Sequence, residues 1–171
     1  MPRYVALLRG VYPQLVKMPD LRRCFEAAGF EDVRTVLASG NVAFDAPGRS
    51  PRAIERGIEA ALDRRLGRSF LTLVRTRDAL RALVESDPHA DFRLPANAKR
   101  IVTFLAAAPA RAAKLPRVEE GVHVLAVLGR EAILAYEPHP RGPVFMRVIE
   151  KTFGDAVTTR TWDTVKRCAL A

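Results

Sequence analysis

Residues Val33 to Asp45 read V-R-T-V-L-A-S-G-N-V-A-F-D, and this stretch decides how the rest of the chain is read. Two runs rich in β-branched and apolar residues flank Ser39-Gly40-Asn41, residue types that turn a chain through positive φ at little steric cost. The spacing predicts a hairpin with Val33 to Ala38 and Val42 to Asp45 as its arms. Asn41 has two readings at this stage, a turn residue or a ligand-binding side chain at a strand end. Ser39 and Gly40 share the same two readings.

Outward from the hairpin, each side carries one strand and one helix. On the N-terminal side, Tyr4 to Leu8 is a short strand apolar on both faces, which suits a central position. Pro19 then opens a helix, Leu21, Cys24, Phe25 and Ala28 fall on one helical face, and Gly29 stops it. On the C-terminal side, Ser50 caps a helix that starts at Pro51 and repeats Ile54, Ile58, Leu62 and Leu66. Its other face, Arg52, Glu55, Arg56, Glu59 and Asp63, reads as solvated. Phe70 to Arg75 closes a β-α-β-β-α-β unit.

The second half repeats that order. Thr76 caps a linking helix that ends at Asp87-Pro88, and a polar connection runs to Ala98. Arg100 to Leu105 is a strand and Pro109 to Lys114 a short helix. Val122 to Leu128 and Ala132 to Glu137 form a hairpin about Gly129-Arg130. Val144 to Phe153 is helical, Ala156 to Arg160 is the last strand, and Thr161 caps a terminal helix. The expected fold class is therefore α+β: two ferredoxin-like halves in tandem, with antiparallel sheets and helices on one face. The expected divisions are residues 1–76, a linking segment 77–98, and residues 99–171.

The bulk composition narrows the function classes. Apolar residues make up 49% of the 171, which excludes a disordered chain. The apolar run near the start is too short for a signal peptide or a membrane span, so a cytoplasmic protein with no membrane partner is expected. Cys24 and Cys168 lack any metal or disulfide spacing and read as small core residues. His89, His123 and His139 lie in unrelated segments. No metal and no cofactor is expected, since no Walker loop, dinucleotide fingerprint or H-E-x-x-H motif is present.

The net charge is +9, and 23 of the 28 basic residues are arginine. Such a balance attracts anionic partners, nucleic acid first among them. The arginines are scattered, and alanine is also abundant at 26 residues, so compositional bias is a competing source of the charge. Four cations stand apart by position. Arg9, Arg75 and Arg160 sit at the C-terminal ends of three expected strands, and Lys17 just before a helix. Converging strand ends would form a cleft for a phosphate or carboxylate. The competing reading pairs these cations with Asp20, Asp78 or Asp163. Arg160, at a strand tip, is expected to contribute little to stability. Trp162 is expected to anchor the last helix by burial.

Several segments together resemble a known family. Arg9-Gly10, V-K-M-x-D-L-R at Val16 to Arg22, G-F-x-D-V-R-T at Gly29 to Thr35 and S-G-N-V-x-F at Ser39 to Phe44 are similar to the bacterial family catalogued as domain of unknown function 1697. V-R-T at Val74 to Thr76 and T-R-x-W-x-T at Thr159 to Thr164 match its later motifs. The resemblance implies an α+β fold and a cytoplasmic protein, and carries no established activity. One departure stands out: the family's Ile-Asn-Val-Gly-Gly after Arg-Gly is here Val11-Tyr12-Pro13-Gln14-Leu15. Pro13 removes one of the backbone donors that a glycine-rich loop offers to an anion, and Tyr12 and Leu15 bring bulk.

Two function classes follow. The first is a non-catalytic binding protein for an anionic partner, with nucleic acid the first candidate. A ferredoxin-like sheet suits RNA recognition, and Tyr4 and Phe44 are the aromatics available on its central strands. The alternative is an enzyme or carrier for a small anionic metabolite, using arginines with Asp45 or Asp163 as the acid.

Overall fold

The computed structural model describes residues 1–111 and 114–171. They form two compact units, Met1–Glu85 with Lys166–Ala171, and Ser86–Val165. Of the expected linking segment, residues 77–85 count with the first unit and 86–98 with the second.

In the first unit the elements run β1 (Arg3–Leu8), α1 (Met18–Ala27), β2 (Glu31–Thr35), β3 (Asn41–Asp45), α2 (Pro51–Leu66), β4 (Thr72–Thr76) and α3 (Arg77–Ser86). The strands lie in the order β2-β3-β1-β4, with every neighbouring pair antiparallel. This is the split β-α-β arrangement of a ferredoxin-like sandwich. Helical spacing brings Leu21, Cys24 and Phe25 of α1 and Ile54, Ile58 and Leu62 of α2 onto one sheet face. There they pack with Tyr4, Ala6, Val42, Phe44 and Val74. Each fully buried large apolar side chain contributes about 1.5–3 kcal/mol by leaving water. Ser50 Oγ accepts from the Ala53 N–H to cap α2, and Gly67 closes it in the left-handed conformation.

The opposite face of this sheet is also buried, at Val5, Leu7, Ala43 and Leu73. That explains why β1 is apolar at consecutive positions.

The second unit runs β5 (Lys99–Leu105), β6 (Arg117–Glu119), β7 (Val122–Leu128), β8 (Glu131–Tyr136), α4 (Phe145–Phe153), β9 (Val157–Thr161) and α5 (Trp162–Leu170), whose last residues count with the first unit. Its sheet order is β6-β7-β8-β5-β9. Without the short edge strand β6, the order matches that of the first unit. Val148 and Ile149 of α4 pack on Ile101, Val124 and Leu134. Strand β6 was not expected from the sequence. Only three residues long, it pairs with β7 through Glu120 and Gly121, both at positive φ.

The helix expected over Pro109 to Lys114 falls partly on residues 112 and 113, outside the described residues, and residues 109–111 and 114 are not helical. Among the described residues, no helix is long and apolar enough to cross a membrane.

Candidate anion-binding edge

Antiparallel pairing decides which candidate residues meet. β1 and β2 end at one edge of the first sheet, where β3 and β4 begin. At that edge Arg9 follows β1, and its N–H donates to Leu71 O at 2.9 Å. The turn between β2 and β3 stands at the same edge. The Leu8 N–H donates to Gly40 O at 2.9 Å, and the Val36 N–H to Asn41 O at 2.8 Å.

Asn41 is fully buried, and its Nδ2 donates to Val36 O and to Ser39 Oγ, both at 2.9 Å. The side chain thus organises the turn in which Ser39 and Gly40 lie. Gly40 has φ +77, and a Cβ there would meet Val11 Cβ at 3.0 Å and Leu8 O at 3.1 Å. Only glycine allows this close approach of turn and loop.

The loop from Gly10 to Lys17 is held at two points. Val11 and Val16 are buried, and Tyr12 O accepts the N–H groups of Leu15 and Val16 at 2.9 and 3.0 Å. That local turn leaves Tyr12 outside, 51% exposed. On the turn side, Leu37 is 45% exposed, at φ 59. Lys17 is exposed at the N-cap of α1 and makes no capping hydrogen bond; among the described residues it has no ion pair. Arg9, Lys17, Ser39, Gly40 and Asn41 therefore share one edge. Tyr12 joins them, and the sequence marked it only as bulk, at the position of the family's asparagine.

Arg75 lies elsewhere on the first sheet. Arg75 stands opposite Val5 in the β1–β4 register, while Arg9 meets Leu71. Four residues of strand, about 13 Å, separate the two positions. Arg75 is also buried, its Nη1 donating to Val74 O at 3.1 Å. Arg160 belongs to the second unit, where it is 9% exposed and its Nη1 donates to Thr158 Oγ1 at 2.6 Å and Thr159 O at 3.0 Å. Both side chains are buried, and each donates a hydrogen bond within its own strand. Arg9 and Arg75 do not converge, because neighbouring antiparallel strands finish at opposite ends of the sheet.

At the other edge of the first sheet, a polar cleft of about 610 Å³ holds Arg3, Arg34 and Arg77 with Asp32, Asp45 and Asp78. Arg3 Nη1 lies 3.2 Å from Asp32 Oδ2 and 2.9 Å from Asp45 Oδ1, and Arg34 Nε lies 3.1 Å from Asp32 Oδ1. Arg3 and Arg34 pair with aspartates, and three aspartates balance the three arginines, so the cleft offers an anion no surplus of charge.

In the second unit, Trp162 is 5% exposed and meets the ring of His89 edge-on at 5.1 Å. His89 is buried, and its Nε2 lies 2.9 Å from Leu134 O and 3.2 Å from Ile101 O. Two acceptors at Nε2 place the proton there, and Nδ1 has no hydrogen-bond partner among the described residues. Burial lowers the pKa of His89, against the two carbonyl contacts, and Arg100 lowers it further. Sequence alone marked His89 only as a loop histidine beside a proline.

His123 Nε2 pairs with Glu137 Oε2 at 3.1 Å, and His139 Nδ1 accepts the Arg141 N–H at 3.0 Å. Among the described residues, no three His, Cys, Asp or Glu side chains gather as a metal site. Cys24 and Cys168 are buried thiols, and burial pushes the Cys24 pKa up.

A family model described as "Protein of unknown function (DUF1697)" matches residues 1–132. No curated protein matches the sequence. Among solved structures, the conserved bacterial protein SP0830 from Streptococcus pneumoniae is similar, with a TM-score of 0.69 and 18% identity. The likeness covers 99% of this chain and 97% of that one, and at this identity it shows a shared fold.

Proposed function

The chain belongs to the DUF1697 family, and on that premise we propose that it is a cytoplasmic, non-catalytic binding protein for an anionic partner, single-stranded nucleic acid first. The observation that carries this reading is Tyr12, an exposed ring on a loop pinned by two buried valines and flanked in sequence by Arg9 and Lys17. A ring beside two cations is the minimal unit that stacks an unpaired base while its phosphates meet positive charge. The net charge of +9 adds long-range attraction.

The sheet itself offers no platform. Tyr4 and Phe44 are buried in the helix-covered core, their rings stacked at 5.8 Å, and the other sheet face is buried as well. Binding on this reading takes place at the loop edge, unlike the sheet-face mode of RNA-recognition modules. The enzyme or carrier reading drew on arginines with Asp45 or Asp163 as the acid, and Asp45 pairs with Arg3 at 2.9 Å.

Anisotropy titrations of labelled single-stranded RNA, single-stranded DNA and duplex DNA at two salt concentrations test the proposal. Single strands should bind more tightly than duplex, with affinity falling as salt rises. Binding that is insensitive to salt, or that favours duplex, rejects it.

A further inference from the structure

Beyond that reading, the geometry points to a second, independent site in the second unit: a pocket for a small planar-ring anion, a single aromatic ring bearing one carboxylate or phosphate. The cavity measures about 320 Å³ and lies where β5 begins and β9 ends; its lining includes Lys99, Arg100, Tyr136, Thr161, Trp162 and Asp163. Strand register assembles it. Lys99 faces Tyr136 across the β5–β8 pair, and Ile101 faces Thr161 across the β5–β9 pair, so α5 starts beside the first residues of β5.

Three features set the ligand class. First, Lys99 and Arg100 are both exposed, and among the described residues neither forms an ion pair. Two cations against the single carboxylate of Asp163 leave a net charge suited to one anionic group. Second, the wall is aromatic and held in place. The Tyr136 ring stacks on Phe145 at 4.3 Å with an interplanar angle of 22°, and Trp162 is braced by His89. Held rings give a planar ligand contact area with little ordering cost. Third, the volume lies at the lower end of small-molecule pockets, which suits one ring better than a polymer or a dinucleotide.

This site shares no residue with the loop edge of the first unit, so either can fail without the other. Trp162 is the sole tryptophan of the chain, and its emission reports on the cavity. The test titrates phenyl phosphate, benzoate and inorganic phosphate, reading Trp162 fluorescence and, in parallel, heat by calorimetry. At least one of the two ring anions should bind saturably, about ten-fold or more tighter than inorganic phosphate. Which of them binds tighter identifies the acidic group.

The double variant Lys99→Met, Arg100→Gln should weaken ring-anion binding by about ten-fold or more at an unchanged melting temperature. If that variant does not fold, Tyr136→Leu serves instead and should narrow the preference for ring anions over inorganic phosphate. The absence of saturable binding by both ring anions overturns the proposal. So does binding of inorganic phosphate as tight as theirs, or unchanged affinity in a folded variant.

Discussion

Glu55 Oε1 accepts the backbone N–H of Val74 at 2.9 Å, and one helical turn later Glu59 Oε1 accepts that of Thr72 at 3.1 Å. β4 is an edge strand, so these N–H groups point away from the sheet. Two carboxylates of α2 fill positions that another strand would otherwise occupy, which blunts the edge against pairing with a second chain. Replacing both by alanine should cost about 1–3 kcal/mol, since each hydrogen bond is charge-assisted but half-exposed. The double variant should also self-associate. Urea unfolding and size-exclusion chromatography check the two effects, and a monomeric variant of unchanged stability contradicts this role.

The turn at the loop edge has a similarly specific weak point. Gly40→Ala brings a Cβ against Val11 and Leu8 in a left-handed conformation and should destabilise by about 1–3 kcal/mol. Asn41→Ala removes the side chain that holds Val36 O and Ser39 Oγ and should cost a similar amount, about 1–3 kcal/mol. Denaturant midpoints measure both.

His89 makes stability depend on pH. Its folded pKa is lowered by burial, so the folded state resists a proton that the unfolded chain accepts. As pH falls below the ordinary imidazole value of about 6.5, the unfolded state binds more protons and stability drops, by up to about 1.4 kcal/mol per pH unit. Above that value the contribution is flat. Unfolding curves between pH 5 and 8 should show this slope in the wild type and a shallower one in His89→Gln. Equal slopes would mean that other groups carry the pH dependence.

Trp162→Ala should lower stability by about 3–5 kcal/mol, because a buried ring packed on His89 is removed. Arg160→Ala, which the sequence suggested would be silent, should cost about 1–3 kcal/mol. It takes a donor from Thr158 and Thr159 at a position only 9% exposed. Thermal unfolding distinguishes the two variants, and a silent Arg160→Ala would return that residue to the surface-ligand class.

Much of the fold was legible because its signals are local. Ser39-Gly40-Asn41 announced the hairpin, and the Pro51-to-Gly67 pattern announced α2 with its caps. The four-residue repeat of Ile54, Ile58 and Leu62 gave the core face. What escaped was set by partners distant in sequence. Glu55 and Glu59 looked like solvent-facing charges because nothing nearby shows that an edge strand lies beside them. Arg9 and Arg75 read as strand tips that could converge, although the element order already placed β1 and β4 antiparallel, finishing at opposite ends of the sheet. Tyr12 was read only as bulk in its loop because exposure is not readable from a lone tyrosine. Strand β6 is three residues long and gave no periodicity to read.

The most direct test of the central claim compares the salt dependence of single-stranded RNA binding in the wild type, Lys17→Glu and Tyr12→Ala. Lys17 is exposed and Tyr12 projects from its loop, so both variants should keep the fold. If Lys17 contacts phosphate, Lys17→Glu should flatten the slope of log affinity against log salt by about 0.7 or more. Tyr12→Ala should lower affinity by about ten-fold, the equivalent of one lost stacking contact, and leave the slope unchanged. Wild-type affinity that does not change with salt, or affinities and slopes identical in all three proteins, would contradict the assignment of this edge as the binding site.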